Sequence, residues 1–361
     1  MTASSPGVAP DSPSGSPVAD VLVVGLGAAG LSCCLELAAA GVDVVGVDST
    51  DVGSGASGRN GGFLLGGLAL FHHDAIAALG RDRADAWYRA TLEELDRTFA
   101  EELTAARVGS LRVAAPGIDE DEDIRRHHAA LGESGFPVEA YEGQHGRGIR
   151  IPTDGQYEPL DRCHHLAERA LAAGAVLARV DIDVVEPGQV VDVDGRPLGS
   201  PVLVIAIDGG LERLLPDVGV RTARLQMLAT APVAAGTVTC PVYRRFGLDY
   251  LRQASDGSLH VGGGRDLEGD DAWTVEPATT SPVQEHLEDI VASLDGDVAI
   301  ERRWSAPSAW TADRLPICTT VMPGVHVIGG YSGHGNIIGP MLARHVAASI
   351  LAGDDTVRLP F

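Results

Sequence analysis

Residues 20–30 read Asp-Val-Leu-Val-Val-Gly-Leu-Gly-Ala-Ala-Gly, and this stretch decides the fold. Val21 to Val24 are apolar and mostly β-branched, the signature of a parallel strand buried on both faces. Gly25, Gly27 and Gly30 follow in the spacing of a strand-to-helix turn. Leu31 to Ala40 then reads as helix, with Gly41 as its stop. Val42 to Val47 reads as a second strand ending on Asp48. Strand, glycine turn, helix, strand and terminal acid together make the βαβ unit that binds a dinucleotide. Gly25 permits the tight turn, Gly27 admits the pyrophosphate to the backbone, and Gly30 lets helix and strand pack closely. The helix N-terminus, with Ala28 and Ala29 in its first turn, faces the phosphate charge. Asp48 is expected to accept from ribose hydroxyls, which disfavours a 2′-phosphate and leaves FAD or NAD.

Outward from this unit, residues 53–62 (GSGASGRNGG) choose between the two. The loop offers many backbone N–H groups immediately after the second strand. An NAD enzyme has no obvious need of them there, whereas an extended FAD does. Gly55, Ala56, Ser57, Arg59, Asn60, Gly61 and Gly62 are the positions expected to contact it. A third glycine-rich turn, Gly329 to Asn336, precedes the C-terminal helix. Its N–H groups and helix dipole suit the flavin edge that becomes negative on reduction. Gly330, Gly333, His334, Gly335 and Asn336 are assigned to it, and Ser49 and Val184 complete the expected cofactor positions. The His334 ring has an equal claim to be an ordinary loop histidine.

Elsewhere, Val202–Ile207 and Val325–Ile328 read as further buried strands, and short alternating strands dominate 222–265. Residues 160–173 read as an amphipathic helix with Leu160, Leu166, Ala170 and Leu171 on one face. Helical stretches are expected near 74–105 and 119–134, with a strand at 111–114 between them. The expected fold class is therefore α/β plus α+β: a discontinuous Rossmann-type FAD-binding domain (19–75, 152–215 and 313–361) with an inserted antiparallel-sheet substrate domain (76–151 and 216–312). Residues 1–18 are rich in Pro, Ser and Gly and lack the basic and apolar regions of a signal peptide, so a disordered tail is expected.

Bulk properties bound the function. The net charge of −23 argues against nucleic acid and anionic membrane as partners. No apolar run reaches 18 residues, so no membrane span is expected. Five cysteines without C-x-x-C spacing fit a reduced, cytoplasmic chain. All 27 basic residues are arginine, so no lysine chemistry exists here. The pairs His72-His73, His127-His128 and His164-His165 do not share helix faces and lack supporting carboxylates, so no metal is expected.

The motifs VVGLGAAG (23–30), SGASGRNGG (54–62), TDGQYEP (153–159), RLQMLAT (224–230), GSLHVGGGRD (257–266), RRWSAPSAWTADRLPI (302–317) and GGYSGHG (329–335) together resemble the D-amino-acid oxidase and sarcosine oxidase superfamily, most closely its gamma-glutamylputrescine oxidase branch. The resemblance covers nearly everything after residue 19. It implies hydride transfer from a carbon bearing nitrogen to flavin N5, with O₂ the common acceptor and a small amine or amino acid as substrate. It places Ala306 where related enzymes carry a flavin-tethering cysteine, so the FAD is expected to be non-covalent. It places His260 where they carry an oxygen-activating lysine. Asp208-Gly209-Gly210 departs from the usual end of its strand. Tyr250, Arg252, Arg265 and Trp304 are the candidate substrate residues, an arginine facing the flavin being suited to a substrate carboxylate. Each also has a purely structural reading. A dehydrogenase with another acceptor, a 2-hydroxy-acid oxidase on the same fold, and a decayed flavin-binding protein stay open as alternatives.

Overall fold

The computed structural model describes residues 18–115, 117–296 and 298–361. Of the expected tail, residues 1–17 lie outside these; the N–H of Val18 donates to the Gly199 carbonyl at 2.8 Å. The chain opens with β1 (Val21–Val24), α1 (Ala28–Ala39) and β2 (Val44–Asp48), then α2 (Ala56–Arg59) and β3 (Phe63–Leu64). Two helices follow, α3 (His72–Leu79) and α4 (Arg81–Glu101), parted by Gly80 at φ 81° where one continuous helical stretch is expected from sequence. Next come β4 (Ser110–Val113), α5 (Asp121–Glu133), β5 (Glu139–Gly143), β6 (Gly146–Ile151), β7 (Gly155–Gln156) and α6 (Pro159–Ala172). The middle of the chain forms β8 (Val176–Arg179), β9 (Ile182–Glu186), β10 (Gln189–Asp192), β11 (Pro197–Gly199), β12 (Val202–Ile205) and α7 (Leu211–Leu214). The remainder forms β13 (Val220–Pro232), β14 (Val242–Arg244), β15 (Asp249–Gln253), β16 (Ser258–Gly263), α8 (Ser281–Asp295), β17 (Ile300–Thr311), β18 (Ile317–Met322), β19 (Val325–Gly329) and α9 (Gly335–Leu351).

Two large sheets organise these elements. The first has the order β18-β19-β12-β1-β2-β8, parallel except for the β18–β19 edge. Its central strand shows why an uninterrupted apolar run is needed there. Val21 and Val23 pack among α1, α6 and α9, while Leu22 and Val24 pack on the other face with Ile182, Val190 and Val327. The second sheet has the order β17-β13-β16-β15-β14-β4-β6-β5 and is antiparallel except for the β14–β4 pair. One of its faces packs Leu228, Leu251, Leu259 and Val261 against Val283 and Leu287 of α8. The other face is turned toward the glycine loops.

Two expectations from sequence are corrected. The sequence predicts a strand over Tyr243–Phe246, but β14 stops at Arg244, because Arg245 and Phe246 turn left-handed at φ 52° and 58°. On α6, Leu166 and Ala170 are buried as expected, but Leu160 and Leu171 are 44% and 51% exposed, and the buried face carries Arg162 at 3%. The reason lies in α9. Pro340 stands inside that helix and has no N–H for the Asn336 carbonyl. Arg162 Nη1 donates to that carbonyl at 2.8 Å in its place.

Candidate active site

At the first glycine turn, φ at Gly25 is 110°, and a Cβ there would stand 2.6 Å from the Ala206 carbonyl oxygen. A Cβ on Gly30 would stand 1.8 Å from the Gly25 carbonyl oxygen. Only glycine lets α1 approach β1 this closely. The Ala28 N–H donates to Ser57 Oγ at 3.0 Å, which brings the second glycine loop onto the N-terminus of α1. Ala29 and Gly30 keep first-turn N–H groups with no helical acceptor. Such a terminus suits a pyrophosphate. Asp48 has a different principal task from the one expected. Its Oδ2 accepts the Leu26 N–H at 2.8 Å, and Oδ1 accepts the Thr50 N–H and hydroxyl at 2.9 and 3.0 Å. The carboxylate thus first holds the turn itself, with about one lone-pair site left for a ribose. Ser49 is exposed, and its carbonyl accepts from Arg179. Val184 is 39% exposed on β9, opposite Val191 of β10.

Asparagines join the second and third loops. Asn60 donates to the Ala56 and Ser57 carbonyls, and its Oδ1 accepts the Gly62 N–H at 2.7 Å. The same Oδ1 accepts from Asn336 Nδ2 at 3.0 Å, and Asn336 also donates to the Phe63 carbonyl. Asp208, in the sequence a mere departure from pattern, is the anchor of the third loop. It accepts the N–H groups of Ala309, Gly330 and Tyr331 at 2.9, 2.9 and 3.3 Å. Burial pushes its carboxyl up, and these donors oppose that. The Gly330 N–H is therefore committed within the protein. The donors left for a ligand lie at Gly335 and Asn336, the first turn of α9. Both His334 ring nitrogens are buried without a hydrogen-bond partner, and burial, then Arg112 and Arg314, drives its pKa down to about 3.

One row of the second sheet faces these loops. In register it runs Trp304, Met227, Gly262, Tyr250, Tyr243, Arg112. The Tyr250 ring would meet a Cβ on Gly61 at 3.2 Å, and Trp304 Nε1 donates to the Arg59 carbonyl at 2.8 Å. Phe63 sits edge-on to Tyr243 and Tyr250, with centroids 5.0 and 5.9 Å away. Tyr250, Arg252 and Trp304 thus touch the Arg59–Gly62 segment, and His260 lies edge-on to Trp304 with centroids 5.7 Å apart. Two of them take roles other than those expected. Arg252, 1% exposed, spends Nε on the Gly61 carbonyl at 2.6 Å and both Nη atoms on Glu158 at 3.1 and 2.8 Å. A guanidinium so committed holds the loop and is not free for a substrate carboxylate. His260 is pushed down to about 4 by burial and by Arg252, which disfavours the cationic form expected of it. Arg265 stands apart, its guanidinium 5.1 Å from the Trp273 ring and 4.4 Å from Trp310, which borders Gly333. Arg112, Tyr243, Phe63, Asp208, Asp154 and Glu158 were not legible as site residues. The TDGQYEP segment holds two of them and was the one available signal.

The match to known proteins now has a geometry to rest on. The model of the family DAO, FAD dependent oxidoreductase, matches residues 20–349. The chain belongs to this family. Its cofactor is FAD, and the glycine-free-of-Cβ turn at Gly25–Gly30, the phosphate-ready terminus of α1 and the unpartnered His334 nitrogens fit that group. Among curated relatives, the probable oxidoreductase OrdL of Rhizobium meliloti is 29% identical over 89% of this chain and 80% of its own. Gamma-glutamylputrescine oxidoreductase of Escherichia coli is 26% identical over 93% and 84%. In fold, the chain is similar to glycine oxidase from Geobacillus kaustophilus (TM-score 0.75, 21% identity, 93% and 95% covered). It is equally similar to L-proline dehydrogenase from P. horikoshii (TM-score 0.76, 19% identity, 93% and 94% covered). Among the described residues, no helix is long and apolar enough to cross a membrane, and no group of three or more His, Cys, Asp or Glu is arranged to hold a metal ion.

Proposed function

We propose that this FAD-dependent oxidoreductase oxidises the C–N bond of a small amine or amino acid, with O₂ as the acceptor. The flavin supplies hydride acceptance at N5; the chain's residues bind, orient and keep water out. The observation that carries the reading is the row Trp304–Tyr250–Tyr243–Arg112 facing Gly61 and Gly62, an aromatic wall with an arginine at one end. Residues 19–75, 152–215 and 313–361 would hold FAD, and 76–151 with 216–312 would enclose the substrate. His260 and His334 are too weakly basic at neutral pH to deprotonate an ammonium, so the substrate amine enters neutral. The FAD is non-covalent in this reading: Ala306 offers no nucleophile, and all five cysteines are buried with their thiols pushed up, Cys34, Cys163 and Cys318 to about 12.

A neutral His260 also favours a second reading, a dehydrogenase passing electrons to a carrier. One experiment addresses both. The purified protein should be yellow and release FAD on acid precipitation. Anaerobic titration with an amine and amino-acid panel should bleach the flavin, while 2-hydroxy acids leave it oxidised. Air should then restore the colour and yield H₂O₂. Bleaching by 2-hydroxy acids alone overturns the substrate class. Bleaching by amines without reoxidation in air replaces the oxidase by the dehydrogenase.

A further inference from the structure

Helix α9 carries Pro340 in its second turn. Proline has no N–H, and its ring crowds the carbonyl four residues back, here that of Asn336. This carbonyl belongs to the first turn of α9, the end tied to the second glycine loop by the Asn336 side chain. It accepts from Arg162 Nη1 of α6 at 2.8 Å. Any neutral donor would satisfy a carbonyl, but the donor here is a guanidinium that is 3% exposed. Arginine stays charged when buried at neutral pH. A unit positive charge therefore stands behind the α9 N-terminus, one hydrogen bond and less than one helical turn of about 5.4 Å away from its end.

The surroundings leave that charge directed at the helix. Arg162 Nη2 reaches the Thr98 hydroxyl at 3.3 Å, and Nε has no partner. Glu94 lies 4.0 Å from Nη2 but is already held by Arg344, whose Nε donates to it at 3.0 Å. Removing Arg162 thus strands no carboxylate. On the opposite side of the Asn336 carbonyl, in the same peptide unit, is the N–H of Ile337, one of the four that have no helical acceptor. A helical peptide points its C=O toward the C-terminus and its N–H toward the N-terminus. A cation on the carbonyl polarises the N–H outward, as along any chain of hydrogen bonds. No acid stands in the first turn of α9 to offset this.

We propose that Arg162 is a positioning residue for the cofactor, which acts through the Asn336 carbonyl to strengthen the α9 N-terminus as a donor and raises the reduction potential of the flavin. Pro340 is what opens the helix to it. The effect falls on the reduced state, because the flavin edge assigned to this terminus becomes negative on reduction. The proposal rests on the part of the reading above that puts FAD against 313–361, and not on the amine substrate.

The test measures the flavin potential of FAD-loaded protein by dithionite titration against a reference dye, so it stands whether or not an amine is the substrate. Arg162→Gln keeps a donor for the carbonyl and removes the charge. A unit charge at about 10 Å, in an effective dielectric of about 20, shifts an equilibrium by somewhat more than about 10-fold, and Glu94 offsets part of that. Arg162→Gln should disfavour reduction about 10-fold, which is about 30 mV for a two-electron couple. Arg162→Lys, which keeps the charge, should stay within about threefold of wild type. Pro340→Ala returns an N–H to the Asn336 carbonyl. Added to Arg162→Gln, it should restore the urea midpoint and leave the potential low; it also carries the measurement if Arg162→Gln alone holds too little FAD. A potential restored together with stability, or a wild-type potential in Arg162→Gln, overturns the proposal and leaves Arg162 as the filler of a vacant acceptor. Asn336→Asp puts an anion at the same terminus and should lower the potential whatever Arg162 does. If it does so while Arg162→Gln has no effect, FAD lies against α9 and the role of Arg162 fails. If neither variant moves the potential, the placement of FAD fails and takes the proposal with it.

Discussion

Replacing Arg252 by methionine separates a loop-holding arginine from a substrate-binding one. The side chain is 1% exposed and makes three hydrogen bonds, one to the Gly61 carbonyl and two to Glu158. Methionine fills similar space and leaves Glu158 with only the Ser255 N–H at 3.1 Å. Breaking a buried ion pair on one side costs about 3–5 kcal/mol. The Glu158 side chain is 21% exposed, so water recovers part of this and the lower end applies. The Gly61 carbonyl loses its donor for about another 1 kcal/mol. A total of about 4 kcal/mol is a large share of the 5–15 kcal/mol typical of a folded domain. Urea denaturation of the Arg252→Met protein should show that loss, and flavin absorbance should show incomplete FAD loading because Gly61 and Gly62 are no longer held. Adding Glu158→Gln should restore part of the stability, since the second change removes the stranded charge. An Arg252→Met protein with wild-type stability and full FAD, but a raised KM for acidic substrates, refutes the assignment and returns Arg252 to the substrate.

Two further outcomes follow from the titrating groups. Asp154 has its pKa raised to about 6 in the fold, chiefly by burial, against 3.8 unexposed to it. The folded protein therefore binds more protons than the unfolded chain between about pH 4 and 6, and stability falls as pH rises through that window, by on the order of 3 kcal/mol. Asp154→Asn should flatten that slope in denaturation midpoints measured from pH 4 to 7; an unchanged slope would show that the carboxyl is ionised throughout. His260→Ala should leave flavin reoxidation by O₂ at pH 7–8 within about twofold of wild type, because a neutral ring offers no charge to the forming anion. A tenfold slowing would mean that the ring is protonated during turnover.

What was legible in the sequence was local. The Gly25–Gly30 turn needs a backbone that only glycine tolerates, and each requirement is met within a few residues, so the pattern could be read without the fold. The buried strands β1, β12 and β19 were equally plain, because burial on both faces demands unbroken apolar runs. What was not legible depends on partners distant in the chain. Arg162 reads as a surface residue until Pro340 leaves a carbonyl vacant 174 residues away. Asp208 reads as an oddity until Ala309 and Gly330 present their N–H groups across 101 and 122 residues. Arg112 reads as the polar member of an alternating strand, and only the placement of β4 beside β14 turns it inward under Tyr243. Arg252 reads as a substrate-facing arginine of an alternating strand, and nothing local announces Glu158 as its partner.

The positive potential of the site is built from groups that do not titrate. Both imidazoles near the flavin loops are held neutral: His334 near 3 by burial, Arg112 and Arg314, and His260 near 4 by burial and Arg252. The chain has no lysine to take their place. What remains is the N-terminus of α9, whose first N–H groups at Gly335 and Asn336 point out of the helix, and the arginines, which stay charged across the physiological range. Asp208 takes the Gly330 and Tyr331 N–H groups and so fixes the turn that aims α9. Asn60 and Asn336 then lock that terminus to the second glycine loop. If this terminus holds the flavin, a reduced flavin would keep its stabilisation as pH changes, whereas one held by a histidine would lose it as the ring deprotonates at about pH 6.5. Under the proposed amine oxidation, the pH dependence of flavin reduction would then follow the substrate's own amine.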